Sequence, residues 1–121
     1  MPDTDVEQVL AVLRHHAGIR QAILFGSVAE GRANPDSDLD LAVSSAAPLA
    51  AEEKQALISD LAAATGRPVD LIDLETVGEP LLGRILAQGK RLLGDERQYA
   101  RVLLRHLYAQ ADFVPYRERI L

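Results

Sequence analysis

The chain has 121 residues, a formal net charge of −5 and no cysteine. This length fits one domain that buries a real core, and the absence of cysteine excludes disulfides and thiolate metal sites. The acidic balance argues against nonspecific binding to nucleic acid. No apolar run approaches the roughly 20 residues that span a bilayer, and the acidic N-terminus predicts no signal peptide. We therefore expect a cytoplasmic globular protein.

The hydrophobic pattern predicts alternating helices and strands along the chain. A capping-box spacing at Thr4–Glu7 and apolar residues at helical intervals predict a first helix over 4–17. A first strand over 19–25 leads to a Gly-Ser pair, a helical turn over 27–31 and a second strand over 38–44. The later predicted elements are a helix over 49–65, a strand over 69–74, a helix over 79–88, a short strand at 92–93 and a last helix from 95. This order predicts an α/β (α+β) fold with a small mixed sheet flanked by helices.

The stretch over 25–43 holds most of the candidate chemistry. It reads FGSVAEGRANPDSDLDLAV and places Gly26 and Ser27 ten residues before Asp38 and Asp40. Side chains two residues apart on a strand share a face, so both carboxylates project to one side. Paired carboxylates on a rigid strand suit Mg²⁺, and a Gly-Ser turn offers N–H groups and a hydroxyl to phosphate oxygens. These features indicate chemistry on a nucleoside triphosphate.

The Gly-Ser pair, the ten-residue spacing and the Asp-x-Asp pair resemble the nucleotidyltransferase superfamily that has a DNA polymerase beta-like palm. The resemblance continues in PVDLIDL, where Asp70 corresponds to the third acid of the family, and in EPLLGRILAQGKRLL, which is similar to the minimal, MNT-type members. It implies the minimal nucleotidyltransferase fold over 1–121, with a catalytic core over 1–94. The segment 95–121 would then be a C-terminal helical segment.

The resemblance also implies a role for each matched residue. Asp38, Asp40 and Asp70 would be the catalytic acids and would hold Mg²⁺ in a two-metal site, and Asp70 could also accept a proton from the attacking hydroxyl. Gly26 and Ser27 would bind the triphosphate of the nucleotide substrate.

Two readings stay open beside this assignment. An Asp-x-Asp pair alone is more often a solvated strand face, and Asp73 lies on the same predicted strand as Asp70, facing the other way.

In the loop after Gly-Ser, Glu30 stands where relatives often carry an arginine, so one phosphate contact is lost. Arg32, two residues later, either compensates or is a solvated loop residue.

Free-standing MNT-type proteins of this size resemble the antitoxins of bacterial HEPN/MNT (type VII) toxin–antitoxin pairs. This resemblance implies transfer of AMP from ATP to a tyrosine of a cognate HEPN ribonuclease toxin, which neutralises the toxin within a heteromeric complex. One alternative is a small-molecule nucleotidyltransferase of the aminoglycoside-modifying type. Another is a non-catalytic antitoxin that acts by binding alone.

The C-terminal segment carries aromatic and arginine side chains beyond what a small core needs. These residues are Phe113, Tyr116, Arg117 and Arg119. Because aromatic residues and arginine are enriched in interface cores, we expect this segment to dock the toxin.

A second pattern in the same region is Arg101-x4-His106-x-Tyr108, which is similar to the signature of HEPN ribonucleases. At these spacings on one helix the three side chains spread over more than one face. Those ribonucleases are also four-helix bundles, and one helix remains here to house the motif. We therefore favour a coincidental match over a nuclease site.

Overall fold

The computed structural model describes residues 4–111. The predicted docking residues from Phe113 to Arg119 lie outside this range. Within the described range, no helix is both long enough and apolar enough to cross a membrane. In chain order the elements are α1 (Thr4–Leu13), β1 (Ile19–Phe25), α2 (Gly26–Ala29), β2 (Leu39–Ser45), α3 (Ala51–Thr65), β3 (Val69–Asp73), α4 (Leu81–Gln88), β4 (Lys90–Leu93) and α5 (Glu96–Ala111).

The four strands form one mixed sheet in the order β3-β2-β1-β4. β1 is antiparallel to both β2 and β4, whereas β2 and β3 are parallel. The parallel pair is joined by α3, as parallel neighbours need a crossover connection. The predicted fold class, a small mixed sheet flanked by helices, is confirmed.

Both faces of the sheet are covered. Leu39, Leu41 and Val43 point to a core shared with α1 and α3, as the alternation along β2 predicts. The opposite face is buried too, because Ile23 and Ala42 pack there against α4 and α5. The carboxylates therefore lie at the start of β2, with Asp38 just before the strand and Asp40 within it.

α1 ends at Leu13, four residues before the predicted end. The N–H groups of His15 and His16 bond the carbonyls three residues earlier, at 2.9 and 3.0 Å, so the chain tightens into turns. His16 Nε2 then lies 2.8 Å from Asp60 Oδ2 on α3. This contact ties the turn to α3. The helical interval of the apolar residues did not signal it.

α5 is fastened to the loop between β3 and α4. Arg105 donates to the carbonyls of Glu75 and Val77, at 2.7 and 3.0 Å, and His106 Nδ1 lies 2.7 Å from Glu79 Oε2. Arg101 forms an ion pair with Glu75. Two of the three side chains of the ribonuclease-like pattern are thus paired with acids of this same chain.

Candidate active site

The Gly-Ser pair lies at the point where β1 turns into α2. Phe25 is still extended, with φ −138°, and Gly26 follows with φ 75°, in the left-handed region that favours glycine. Phe25 is also the register partner of Asp40 on β2. A Cβ atom on Gly26 would collide with Oδ2 of Asp40. Both the backbone angle and the close approach therefore require glycine, and they place Ser27 beside the acidic strand.

The three predicted acids meet at the start of the parallel strand pair. Asp40 and Asp70 are register partners on β2 and β3, and Asp38 comes two residues before Asp40. Burial raises the pKa of Asp40, and the negative charges of Asp70 and then of Asp38 raise it further. Asp40 is half-buried, whereas Asp38 and Asp70 are exposed. Three carboxylates thus share one small region.

Asp73, the alternative third acid, has a different position and different partners. It pairs in register with Val43, three residues along β2 from Asp40. Its Oδ1 accepts the N–H of Glu75 at 2.8 Å, and its carbonyl accepts the N–H of Val77 at 3.0 Å. The structure therefore brings Asp70 to Asp40 and uses Asp73 to cap the turn after β3.

The loop before Asp38 is fixed by a residue that the sequence analysis did not single out. Arg67 Nη1 donates to the carbonyls of Asn34 and Ser37, at 2.6 and 3.0 Å. The same guanidinium pairs with Asp5 of α1, with 3.0 Å between Nε and Oδ1. Arg67 thereby stabilises the turn that directly precedes Asp38. A lone arginine after Gly66 offers no sequence signal of this role, because its partners are 30 or more residues away.

A cavity of 230 Å³ opens beside Gly26 and Asp40. α4 supplies one wall through Leu81, Arg84 and Gln88, at spacings of three and four residues that share a helix face. The two polar residues of this wall are not among the site residues predicted from the sequence. A larger cavity of 670 Å³ lies next to α5 and holds none of the predicted site residues. Its lining includes Arg20, Gln21, Ser44, Arg97 and Arg101.

The acids match Mg²⁺ in donor chemistry. Carboxylate oxygens are the ligands that this cation prefers, and the repulsion that raises the pKa of Asp40 would be relieved by a divalent cation. Within residues 4–111, no group of three or more His, Asp or Glu side chains stands in an arrangement that could already hold a metal ion. The donor set therefore fits in chemistry and charge, without a preformed cage.

Comparison with known proteins agrees with this geometry. The family model described as polymerase beta, nucleotidyltransferase, matches residues 7–98. Protein adenylyltransferase MntA of Shewanella oneidensis is 33% identical over 98 residues, which are 80% of this chain and 70% of MntA.

Two solved structures of toxin–antitoxin complexes also match this chain. A crystal structure of a toxin–antitoxin with AMP-PNP matches with a TM-score of 0.72 at 28% identity, covering 88% of this chain and 92% of that chain. A structure of a tri-AMPylated Shewanella oneidensis HEPN toxin in complex with an MNT antitoxin matches with a TM-score of 0.67 at 26% identity, covering 89% and 90%. With a family match over most of its length and the family's fold, this chain belongs to the polymerase beta nucleotidyltransferase family.

Proposed function

We propose that this chain is an antitoxin adenylyltransferase that transfers AMP from ATP to a tyrosine hydroxyl of a cognate HEPN ribonuclease toxin and so neutralises it. The observation that carries the proposal is the packing of Gly26 against Asp40, with Asp70 opposite, in a chain 33% identical to a protein adenylyltransferase. The protein would form a heteromeric complex with the toxin in the cytoplasm, where ATP is available.

The reaction is a phosphoryl-type displacement. The tyrosine oxygen attacks the α-phosphorus of ATP, the bond from that phosphorus to the bridging oxygen breaks, and pyrophosphate leaves. Gly26 lets the backbone approach the phosphates closely, and the hydroxyl of Ser27 donates to a phosphate oxygen. Such a reaction depends mainly on positioning and charge stabilisation, since the protein forms no covalent bond.

The acids would act on the metal and on the proton. Asp38, Asp40 and Asp70 would hold Mg²⁺ in a two-metal site, and the bound ions would supply charge neutralisation at the phosphates. Asp70 is exposed and lies at the edge of the cluster. We assign it the further task of accepting the tyrosine proton as the new bond forms.

We also propose that the segment 95–121 docks the toxin. In its described part, Leu104, Leu107 and Tyr108 of α5 are 49%, 48% and 69% exposed, although they are large and apolar or aromatic. Together they occupy one side of the helix, at spacings of three and four residues. Relatives solved as complexes with a HEPN toxin support a partner of this kind. We assign the exposed side of α5 to that partner.

Co-expression with the adjacent gene product, followed by intact mass of that partner, tests the function. The samples are wild type, the Asp38→Asn/Asp40→Asn double variant and the control Asp36→Asn, which removes an exposed turn carboxylate. AMP-sized additions are expected with wild type and the control, and not with the double variant. An unmodified partner that still co-purifies would favour a binding antitoxin. A chain with no protein partner would redirect the assay to small-molecule acceptors.

Docking is tested with the same co-purification. Leu104→Ser/Leu107→Ser should weaken toxin binding about tenfold or more, because large side chains at an interface centre each contribute about 1–2 kcal/mol. A chain truncated after Gln110 separates the exposed side of α5 from the residues beyond it. Full toxin binding by both variants would remove the docking proposal and leave the transfer reaction standing.

A further inference from the structure

Arg84 stands beside the candidate active site. It lies on α4 and lines the 230 Å³ cavity together with Gly26 and Asp40. Its side chain is exposed. Across residues 4–111 the guanidinium of Arg84 has no ion pair and no hydrogen bond, as is also true of Arg14, Arg20 and Arg97. Of these four arginines, Arg84 is the one that lines this cavity. It is a cation available to a ligand.

The other arginine of this cavity is already paired. Arg32 Nη2 lies 3.1 Å from Glu30 Oε2, and both residues line the cavity. The loop after the Gly-Ser pair therefore contributes no net positive charge, and α4 supplies the unpaired cation instead.

α4 is fixed well enough to hold Arg84 in place. Leu82 and Ile85 are buried against the sheet. At one end of the helix, a Cβ on Gly83 would come within 2.7 Å of the ring of His106. At the other end, a Cβ on Gly89 would collide with Ile85 and Ile23. A fixed helix keeps the backbone of Arg84 beside the cavity, so that only its side chain has to become ordered when a ligand binds.

We propose that Arg84 binds the polyphosphate of ATP and positions it for attack. The inference rests on the proposed function, because it assumes that the triphosphate enters this cavity. A guanidinium presents two parallel N–H donors that match phosphate oxygens. It would offset the repulsion between the triphosphate and the cluster of Asp38, Asp40 and Asp70.

The test measures nucleotide binding by calorimetry, with AMP-PNP and AMP as probes in the presence of Mg²⁺. Wild type is compared with Arg84→Ala, Arg84→Lys and the control Arg14→Ala, an exposed arginine just after α1 on the other face of the sheet. Arg84→Ala should weaken AMP-PNP binding by about ten- to a hundredfold, the range for a charge-assisted hydrogen bond. AMP binding should change by less than about twofold, since the β- and γ-phosphates are missing.

Arg84→Lys should recover part of the AMP-PNP affinity, because it keeps the charge and loses the paired donors. The control should bind both probes as wild type does. Equal losses for AMP and AMP-PNP, or no loss for either, would overturn this inference alone. A wild-type chain that binds neither probe would overturn both this inference and the proposed transfer. Binding of AMP-PNP without modification of any toxin would sink only the transfer.

Discussion

Asp40 stands opposite Asp70 on the only parallel strand pair of the described sheet, with Gly26 closing over the same carboxylate from the end of β1. Because parallel neighbours align their residues side by side, this register sets two carboxylates next to each other. Burial raises the pKa of Asp40, and the negative charge of Asp70 beside it raises this pKa further. Two adjacent carboxylates lower the stability of the metal-free protein and favour the binding of a cation.

Asp40→Asn should stabilise the protein while it removes activity. The fold raises the pKa of Asp40 above 3.8, so the folded chain binds its proton more tightly than the unfolded chain. The free energy of unfolding therefore falls as pH rises from the pKa of the unfolded chain to the raised pKa of the folded chain. Near neutral pH the charged carboxylate of Asp40 destabilises the fold. We expect a higher melting temperature for Asp40→Asn near neutral pH, and transfer about a thousandfold slower, equivalent to about 4 kcal/mol.

Thermal melts without Mg²⁺ check the first part, at neutral pH and at about pH 3, where both forms of residue 40 are neutral. The stability gain should disappear at the lower pH. Asp36→Asn is the control, since its carboxylate lies outside the cluster. A variant that melts below wild type at neutral pH would contradict the inference that the charged carboxylate of Asp40 destabilises the folded chain.

Gly26→Ala and Gly31→Ala separate backbone strain from the contact with Asp40. Both glycines have φ in the left-handed region, 75° and 72°. A Cβ on Gly31 meets nothing within 4 Å, whereas one on Gly26 collides with Asp40. Each variant should lose about 1–2 kcal/mol of stability from strain, and Gly26→Ala should lose more because of the collision.

Activity should distinguish the pair more sharply. We expect Gly31→Ala to keep transfer within about a few-fold of wild type, while Gly26→Ala loses about a hundredfold because the acid is displaced. Denaturant unfolding and intact-mass assays of the toxin measure both effects. Equal activity of the two variants would show that the approach of Gly26 to Asp40 is not needed.

The sequence predicts the strands and the position of the candidate site better than it predicts the long-range contacts that stabilise them. The Gly-Ser spacing and the alternation along β2 are local patterns, whereas the family resemblance favours Asp70 over Asp73. The fold brings Gly26, Asp40 and Asp70 next to one another. The turns after α1 and the anchoring of the 34–37 loop by Arg67 depend on partners distant in the chain. Periodicity contains no information about such partners.

The same limit applies to α4 and α5. A polar face with Arg84 and Gln88 looks like ordinary solvated helix surface until the sheet places it across from Gly26. The Arg101–Tyr108 pattern resembles a ribonuclease motif in one dimension. In the fold, Arg101 and His106 pair with Glu75 and Glu79 instead.

The His106–Glu79 pair predicts a pH-dependent contribution to the α4–α5 contact. The hydrogen bond from His106 lowers the pKa of Glu79 below 4.5, helped by the N–H of Gly83. Stability from this group is therefore present above pH 4.5 and is lost as pH falls through the lowered value. Glu79→Gln should destabilise the protein near neutral pH by less than about 1 kcal/mol, since the pair is near the surface.

Melting curves of Glu79→Gln and wild type should converge as the pH falls through the lowered pKa of Glu79, because the carboxylate is then protonated in both the folded and the unfolded chain. Glu7→Gln, an exposed acid on α1, is the control and should follow wild type throughout. A difference that persists undiminished at low pH would mean that Glu79 acts through packing rather than charge.

Glu30→Gln should strengthen ATP binding. Glu30 places a negative charge on the cavity wall and holds Arg32 at 3.1 Å. The Glu30→Gln substitution replaces the carboxylate with a neutral amide. This removes the negative charge and leaves the Arg32 guanidinium free to approach the triphosphate. We expect the KM for ATP to fall about two- to fivefold, the size of an exposed ion-pair effect, with kcat nearly unchanged. Glu7→Gln removes the same charge from the remote α1 and should leave KM unaltered. If both variants lower KM equally, the gain comes from net charge alone, and Glu30 has no specific influence on the nucleotide.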